Sequence, residues 1–394
     1  MKNLPIVLGI ITVLTGGFVL LKFFSKNPPV SKSIPEQNSI PLPSSDIPQA
    51  RVIAENLDTP WSIVFLPDKS MLITERPGRV RFIDSSGKLQ GKPVATFDQV
   101  KEIGEGGLLG VTIDPKFSEN RYIYFYYTYE ANGKTYNRVE RYQYSSIKLA
   151  VACGPNNPNC DAQTPRLEKD RIIIDKIPSS SNHNGGRIKF GPDGYLYITT
   201  GDAESPSQAQ DINALGGKIL RVTDEGKPAL GNPFNNLVYS YGHRNPQGLA
   251  WDDNGRLWST EHGRSGILSG LDELNLIEGG KNYGWPEISG DETKTGMETP
   301  KLNSGPSTTW APAGAVFIKN SLFFGGLRGQ TLYEAVINGN QIELKEYFRG
   351  EFGRIRDVIL GPDNLLYITT SNRDGRGNPV VSDDRIIRIN PQKL

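Results

Sequence analysis

The chain has 394 residues, enough for one large domain or two ordinary ones, so length alone does not decide the number of domains. Its 43 glycines and 28 prolines, set among many short apolar runs, are typical of numerous strands joined by tight turns. The formal net charge is only +1, and a surface so close to neutral argues against nucleic acid as a partner.

The N-terminal region is predicted to be separate from the folded domain. The apolar run Leu4–Leu21 contains no charged residue, which indicates either an export signal or a membrane anchor within residues 1–24. Residues 25–48 are rich in Pro, Ser and Asn and are interpreted as a linker. We therefore expect residues 49–394 to form a domain that is periplasmic or extracellular, with possible membrane attachment through residues 4–21.

From residue 51 onward a motif recurs, in which an apolar residue is followed by a turn built on Pro-Asp or Asp-Gly and then by an alternating strand. Its six copies are FLPDKSMLITERPGRVRFID, IDPKFSENRYIYFYYTY, FGPDGYLYITTGD, WDDNGRLWSTEHG, FIKNSLFFGGLRGQTLYEAVI and LGPDNLLYITTSN. One such unit is too small to bury both faces of its sheet, so neighbouring units must stack. The repeats predict an all-β fold, a six-bladed β-propeller with long loops at the end that carries the site; a β-sandwich or two β-domains is the alternative.

Two cysteines, Cys153 and Cys160, lie in the segment CGPNNPNC. In the oxidising compartment that an exported chain reaches, this spacing favours a local disulfide. A metal pair is the alternative, but it lacks further cysteine or nearby histidine ligands.

His183 lies in the polar loop SSSNHNGG, directly ahead of a repeat strand. The two glycines that follow allow the backbone to approach a ligand closely. An uncrowded imidazole is suited to taking a proton near neutral pH, so His183 is a candidate general base. The alternative is an ordinary loop histidine that bonds a neighbouring carbonyl.

Two segments place arginines where they suit an anion. GHRNPQGLAW sets the permanently charged fork of Arg244 beside the amide of Asn245. GRIRDV places Arg354 and Arg356 on one side of a strand, because side chains alternate with a period of two. The alternatives are a surface ion pair for Arg244 and a solvated sheet edge for the other two arginines.

The segments STEHGR and LDELNLIEGGKNYGWPEISGD concentrate acidic side chains and glycine carbonyls. Hard oxygen donors of this kind suit Ca²⁺. The histidines do not have the short spacing of a zinc site. Neither a G-x-S-x-G elbow, a P-loop nor a dinucleotide-binding fingerprint occurs in a suitable context.

Six ordered motifs cover about residues 50–392, namely GEGGLLGVTIDPKF, SSNHNGGRIKFGPDGYLYITTGD, AQDINALGGKILRV, YGHRNPQGLAW, DELNLI with KNYGWP, and RIRDVILGPD. Through them the chain resembles the soluble quinoprotein glucose/sorbosone dehydrogenase family, and within it the aldose sugar dehydrogenases. The resemblance implies a six-bladed propeller with pyrroloquinoline quinone (PQQ) as cofactor. It also implies oxidation of aldoses at C1 to aldonolactones, with hydride transfer to PQQ.

The resemblance implies roles for individual residues. His183 matches the general base, Arg244 the arginine that stabilises charge on the quinone oxygen, and Asn245 a cofactor contact. Arg354 and Arg356 match the pair that holds the PQQ carboxylates. The implied calcium positions are Gly263 and Arg264 for the cofactor's Ca²⁺ and Glu273 and Tyr283 for a second, structural Ca²⁺.

Several positions depart from the family's pattern. Glu105 replaces a glutamine that contacts PQQ, and its charge would repel the cofactor unless the carboxyl group is protonated or turned toward a cation. Asn182 replaces an aspartate beside the base, which would leave His183 less basic. His262 replaces a cofactor-contacting glutamine, as is usual in the aldose branch, and Arg328 stands near the position of a lysine that pairs with PQQ. The insertion SGILSG separates Gly263 from DELNLI.

The sequence therefore favours an exported oxidoreductase, dependent on PQQ and Ca²⁺, that acts on a small aldose and passes electrons to an unidentified acceptor. A non-catalytic propeller that binds a protein or glycan is one alternative, although it would not require a base together with an arginine clamp. A calcium-dependent lactonase is another, although it would have no use for the arginine pair.

Overall fold

The computed structural model describes residues 46–148, 163–266 and 269–394. These residues form mostly β-strands, with a single-turn α-helix at Phe117–Asn120 and short 3-10 helices at Pro206–Gln210 and Pro391–Lys393. The fold is therefore all-β, as the turn-rich composition predicted.

The strands alternate in direction along the chain. In the first half they are β1 (Ala50–Ala54), β2 (Pro60–Phe65), β3 (Met71–Glu75), β4 (Arg79–Ile83), β5 (Ala95–Thr96), β6 (Leu108–Ile113), β7 (Tyr122–Ala131), β8 (Lys134–Lys148), β9 (Gln163–Pro178), β10 (Ile188–Phe190), β11 (Leu196–Thr200) and β12 (Lys218–Val222). In the second half they are β13 (Val238–Tyr241), β14 (Pro246–Trp251), β15 (Leu257–Glu261), β16 (Glu273–Ile277), β17 (Leu302–Asn303), β18 (Pro312–Ile318), β19 (Ser321–Gly326), β20 (Thr331–Asn338), β21 (Gln341–Tyr347), β22 (Ile355–Leu360), β23 (Leu366–Thr370) and β24 (Ile386–Ile389).

The described strands form six antiparallel sheets of four strands each. Five sheets use consecutive strands, β2–β5, β6–β9, β10–β13, β14–β17 and β18–β21. The sixth has the order β1-β24-β23-β22, so the first strand of the domain completes the last sheet. This arrangement confirms the predicted six-bladed β-propeller and excludes the sandwich and two-domain alternatives.

The turns between strands have the geometry that the repeated motif predicted. In the FGPDG copy, Asp193 Oδ1 accepts the Tyr195 amide at 3.2 Å, and Gly194 adopts a φ of +80°. In the LGPDN copy, Asp363 Oδ1 accepts the Leu365 amide at 3.3 Å. The same aspartates accept the hydroxyl of a tyrosine four residues later in both blades, each at 2.9 Å. One local sequence therefore produces one turn in two separate sheets.

Apolar side chains fill every interface between neighbouring blades. Tyr124 of β7 packs with Ile198 of β11 in one such cluster, and Phe82 of β4 packs with Phe125 of β7 in another. The interface that closes the ring joins Ile73 of β3 to Ile386 of β24. Further clusters of described residues fill the other three interfaces. Neighbouring blades cover both faces of each sheet, so the stability of the propeller depends on a closed ring.

Some predictions fall on residues that the structure does not describe. The signal or anchor at residues 1–24, nearly all of the linker at 25–48, and the Cys153–Cys160 disulfide lie outside the described ranges. Within residues 46–148, 163–266 and 269–394, no helix has the length and apolar character that crossing a membrane requires.

The closing strand gives a first testable prediction. Deleting residues 1–54 removes β1, which pairs with β24 from Ala50↔Ile389 to Ala54↔Ile386, and exposes the edge of the last blade. We expect the thermal unfolding midpoint of the chain lacking residues 1–54 to be several degrees below that of a chain lacking residues 1–45, which keeps β1. Equal midpoints in scanning calorimetry would contradict closure of the ring by β1.

Candidate active site

One cleft of about 360 Å³ gathers most of the residues that the sequence singled out. The cleft lies at one end of the propeller. At this end the innermost strand of each blade begins and the next strand along the chain ends, because consecutive strands run antiparallel. The predicted residues that line it are Glu105, Asn182, His183, Arg244, His262, Gly263, Arg264, Arg328, Arg354 and Arg356. Residues up to about 250 positions apart therefore meet in one place.

His183 is held from three directions. Its backbone adopts a φ of +58°, its amide donates to Glu105 Oε2 at 3.0 Å, and its carbonyl accepts the Ala203 amide at 3.1 Å. On the ring, Nδ1 lies 2.8 Å from Asp202 Oδ1. Because a carboxylate only accepts hydrogen bonds, Nδ1 carries the hydrogen and Nε2 is the nitrogen able to take a proton.

Asp202 is the residue that sequence reasoning missed at this position. It is fully buried just beyond the end of β11, and its Oδ2 accepts the indole Nε1–H of Trp285 at 2.8 Å. Asp202 is the last residue of the motif FGPDGYLYITTGD, so the motif contained it without revealing its partner. Asn182, which stands at the position of the family's aspartate, instead bonds Glu204 and Arg376.

Arg244 and Asn245 each combine hydrogen bonds to the protein with one buried nitrogen that is unpaired within the described part of the chain. Arg244 is 6% exposed, and its Nη2 donates to Ser265 Oγ at 2.7 Å. Burial lowers the pKa of Arg244, although acidic groups nearby oppose the shift. Asn245 Oδ1 accepts the Gly185 amide at 2.9 Å. Among the described residues, Arg244 Nε and Asn245 Nδ2 are buried without a hydrogen-bond partner.

Arg354 and Arg356 lie on the same side of the chain, as the alternation predicted, and both face Asp374. Arg354 donates to Asp374 Oδ2 from Nε at 2.9 Å and from Nη2 at 2.7 Å, while Arg356 Nη2 lies 3.7 Å from the same oxygen. Arg356 also donates to Gln247 Oε1 at 2.6 Å. Burial, partly offset by Asp374, lowers the pKa of Arg356 to about 9. The pair is thus a buried cationic group rather than a solvated edge.

Glu105 is turned toward a cation, one of the two conditions set by the sequence. Burial would raise the pKa of this carboxyl group, but charge on His262 and Arg376 and the hydrogen bonds it accepts lower the pKa below its usual range. Burial also lowers the pKa of His262 to about 4, so Arg376 is the cation that matters at neutral pH. His262 Nε2 is buried without a partner among the described residues.

Arg328 and the third histidine, His243, take different positions. Arg328 is exposed at the rim, where its Nη1 donates to Ser269 Oγ at 2.9 Å. His243 is fully buried between Ser240 and Glu261, at 2.8 Å from each. It is therefore a core histidine that helps hold the carboxylate under Arg244.

The predicted calcium positions divide into two groups. Gly263 and Arg264 line the cleft, and the Gly263 amide donates to the buried Asp272 at 2.8 Å. Glu273 and Tyr283 are not among its lining residues; the Tyr283 hydroxyl donates to the Leu276 carbonyl at 2.7 Å. No group of three His, Cys, Asp or Glu side chains suited to a metal occurs within the described ranges.

Glu273 nevertheless has the environment that a cation would relieve. Burial and the neighbouring carboxylate of Glu261 raise the pKa of Glu273 to about 8. Its carboxylate oxygens accept hydrogen bonds from two uncharged donors, Asn275 Nδ2 at 3.0 Å and the Gly290 amide at 3.3 Å.

A sequence model of the Glucose / Sorbosone dehydrogenase family matches residues 57–382, and the chain belongs to this family. The resemblance inferred from the motifs is therefore confirmed.

Individual relatives agree with this assignment. The chain is 32% identical over 354 residues to the aldose sugar dehydrogenase YliI of Escherichia coli strain K12, covering 82% of this chain and 90% of that protein. It is similar to the structure of an oxidoreductase described as a glucose dehydrogenase from Thermus thermophilus, with 42% identity, a TM-score of 0.76, and coverage of 86% of this chain and 98% of that one. The PQQ-bound aldose sugar dehydrogenase of Streptomyces coelicolor has 36% identity and a TM-score of 0.75, with coverage of 86% and 96%.

The buried arginine pair gives a second prediction. Replacing Asp374 by Asn leaves Arg354 and Arg356 without their shared countercharge, and loss of one partner of a buried ion pair costs about 3–5 kcal/mol. We expect Asp374→Asn to lower the free energy of unfolding by roughly that amount in chemical denaturation. Phosphate should recover part of the loss, because it can pair with both guanidiniums.

The exposed Asp253 provides a matched control, since Asp253→Asn removes the same charge from the surface. A loss no larger for Asp374→Asn than for Asp253→Asn would show that Asp374 does not balance the arginine pair.

Proposed function

We propose that the chain is an exported, calcium-dependent oxidoreductase that uses PQQ to oxidise aldoses at C1 to aldonolactones. The family supports PQQ-dependent aldose dehydrogenase activity in general, and the cleft supports the finer assignment. The observation that carries the proposal is the charge of the cleft. Among the described residues that line it, six are arginines and three are acidic, beside an imidazole held by a buried carboxylate.

The residues present fit a flat quinone with three carboxylates. Arg354 and Arg356 would hold carboxylates, with Arg328 at the rim adding a further positive charge. The Nε atoms of Arg244 and Arg356, two residues that line the cleft, are buried without a partner among the described residues and would find acceptors there. Asn245 Nδ2 is also buried without a partner among those residues, although Asn245 is not one of the residues that line the cleft. A buried donor left unpaired is costly, so a site of this kind favours a ligand rich in oxygen acceptors.

His183 is the proposed general base. Asp202 fixes its tautomer and would stabilise the imidazolium that forms when Nε2 takes the proton of the sugar C1 hydroxyl. When bound, PQQ supplies the quinone that accepts the hydride from the same carbon. Loss of proton and hydride together leaves the C1 carbonyl of the lactone. Arg244, which lines the cleft and is 6% exposed, would stabilise negative charge on the quinone oxygen.

Two calcium sites belong to the proposal. The backbone carbonyls of Gly263 and Arg264 would face a cation bound with the cofactor, because both residues line the cleft. Glu273 would serve a structural ion near Tyr283, where a cation would offset the repulsion between Glu273 and Glu261.

Export rests on the sequence alone. The apolar run Leu4–Leu21 and the Pro- and Ser-rich residues 25–48 support a domain delivered to the periplasm or beyond, held by residues 4–21 if that run is retained.

The direct test is reconstitution of the full chain with PQQ and Ca²⁺, followed by reduction of an artificial electron acceptor with several aldoses. The proposal predicts turnover that requires both additions. Absence of PQQ binding would favour a non-catalytic binding module, and lactone hydrolysis without PQQ would favour a lactonase.

The base gives a third prediction. His183→Ala should still bind PQQ but lose kcat by roughly 10²–10⁴-fold, the range typical of general-base removal. Asp202→Asn should also lower kcat while retaining PQQ, because an amide no longer enforces the tautomer with hydrogen on Nδ1. Steady-state kinetics measure both effects, and near-normal turnover of His183→Ala would assign the base elsewhere.

Calcium gives a fourth prediction. Ca²⁺ added to chelator-treated protein should raise the thermal unfolding midpoint, because a ligand that binds the folded state stabilises it. The rise should be smaller in Glu273→Gln and unchanged in the exposed control Glu287→Gln. Equal rises in all three proteins would exclude Glu273 as a ligand, and no rise in the unmodified chain would exclude the structural calcium site.

A further inference from the structure

The side chain of Arg376, which the sequence did not single out, connects two loops that line the cleft. Arg376 lies in the loop between β23 and β24, whereas its partners lie in the loops that precede β6 and β10. Its Nη1 pairs with Glu105 Oε1, and its Nη2 donates to Asn182 Oδ1 at 2.7 Å. The pair joins residues 271 positions apart, and both of its members line the cleft.

The Arg376–Glu105 pair also contacts the loop that carries His183, the proposed base. The second oxygen of Glu105, Oε2, accepts the backbone amide of His183 at 3.0 Å. The side chain of Glu105 is only 15% exposed, while that of Arg376 is 51% exposed. Glu105 is therefore a fixed carboxylate in contact with the base loop, and Arg376 reaches it from the solvent side.

This carboxylate is the feature of the cleft that fits an anionic cofactor least. A negative charge without a partner here would face a tricarboxylate and oppose its binding. The guanidinium of Arg376 satisfies one carboxylate oxygen, and the His183 amide satisfies the other. The two side chains together present no net charge to the cleft.

We propose that Arg376 is a positioning residue of the PQQ site in this chain: its guanidinium cancels the charge of Glu105, so that the neutral pair takes the place of the glutamine that the family's pattern has at position 105. The inference rests on the proposed function, since it concerns PQQ as the ligand. It assigns the two residues one joint role, in which the effect of losing Arg376 depends on the presence of Glu105.

A double-mutant cycle tests the proposal on the full chain with Ca²⁺. The variants are Arg376→Gln, Glu105→Gln and the double variant, and the readout is the dissociation constant of PQQ from quenching of tryptophan fluorescence. Arg376→Gln should weaken PQQ binding about tenfold or more, because it leaves the Glu105 charge uncancelled. Glu105→Gln should bind PQQ at least as tightly as the unmodified chain, and the double variant should recover the affinity of Glu105→Gln.

The surface ion pair Arg349–Glu346, with Nη1 and Oε2 3.2 Å apart, provides a matched control. Arg349→Gln and Glu346→Gln remove the same charges away from the cleft and should leave PQQ affinity unchanged. Thermal midpoints close to that of the unmodified chain are expected for Arg376→Gln, because the arginine is half exposed.

The outcomes separate the two proposals. Tight binding by the unmodified chain, with additive effects of the two substitutions, would overturn the joint role of Arg376 and leave the proposed function standing. An equal loss of affinity in Arg376→Gln and the double variant would overturn it as well, because the loss would not depend on Glu105. Absence of PQQ binding by the unmodified chain would overturn both proposals.

Discussion

The site depends on positive charge concentrated at one end of a closed ring and kept there by buried carboxylates. Arg354 and Arg356 converge on Asp374, and the backbone amides of Arg244 and Asn245 donate to the buried Glu261. Guanidiniums packed this closely repel one another, so each needs a countercharge before any ligand binds. The folded protein therefore carries its own anions beside the cleft, and three arginines that line it, Arg244, Arg264 and Arg356, each keep a buried Nε without a partner among the described residues.

The propeller provides the rigidity that this arrangement needs. Each blade is packed on both faces, and β1 closes the ring against β24, so loops from different blades are held in fixed relation. His183 shows the result, because its amide, carbonyl and ring nitrogen contact three different loop residues. An imidazole fixed in this way has a single tautomer and a defined position relative to the arginines, as the proposed role of general base requires.

Sequence predicted the features that are local and missed those that depend on distant partners. The Pro-Asp turns followed from φ preferences and side-chain bonds within four residues, so Asp193 and Asp363 adopt the expected geometry. His183 and the arginine pair were identified by local motifs. Asp202 and Asp374 were not, because their roles appear only when β11 and the β23–β24 loop reach the cleft. Arg376 carried no signal, since its partner lies 271 positions away.

A crystal structure of the full chain with PQQ and Ca²⁺ bound tests the central claim most directly. We expect one PQQ in the cleft, with carboxylates on Arg354 and Arg356 and the quinone between Arg244 and the imidazole of His183. PQQ bound at another place, or bound in the cleft with its carboxylates turned away from these guanidiniums, would contradict it.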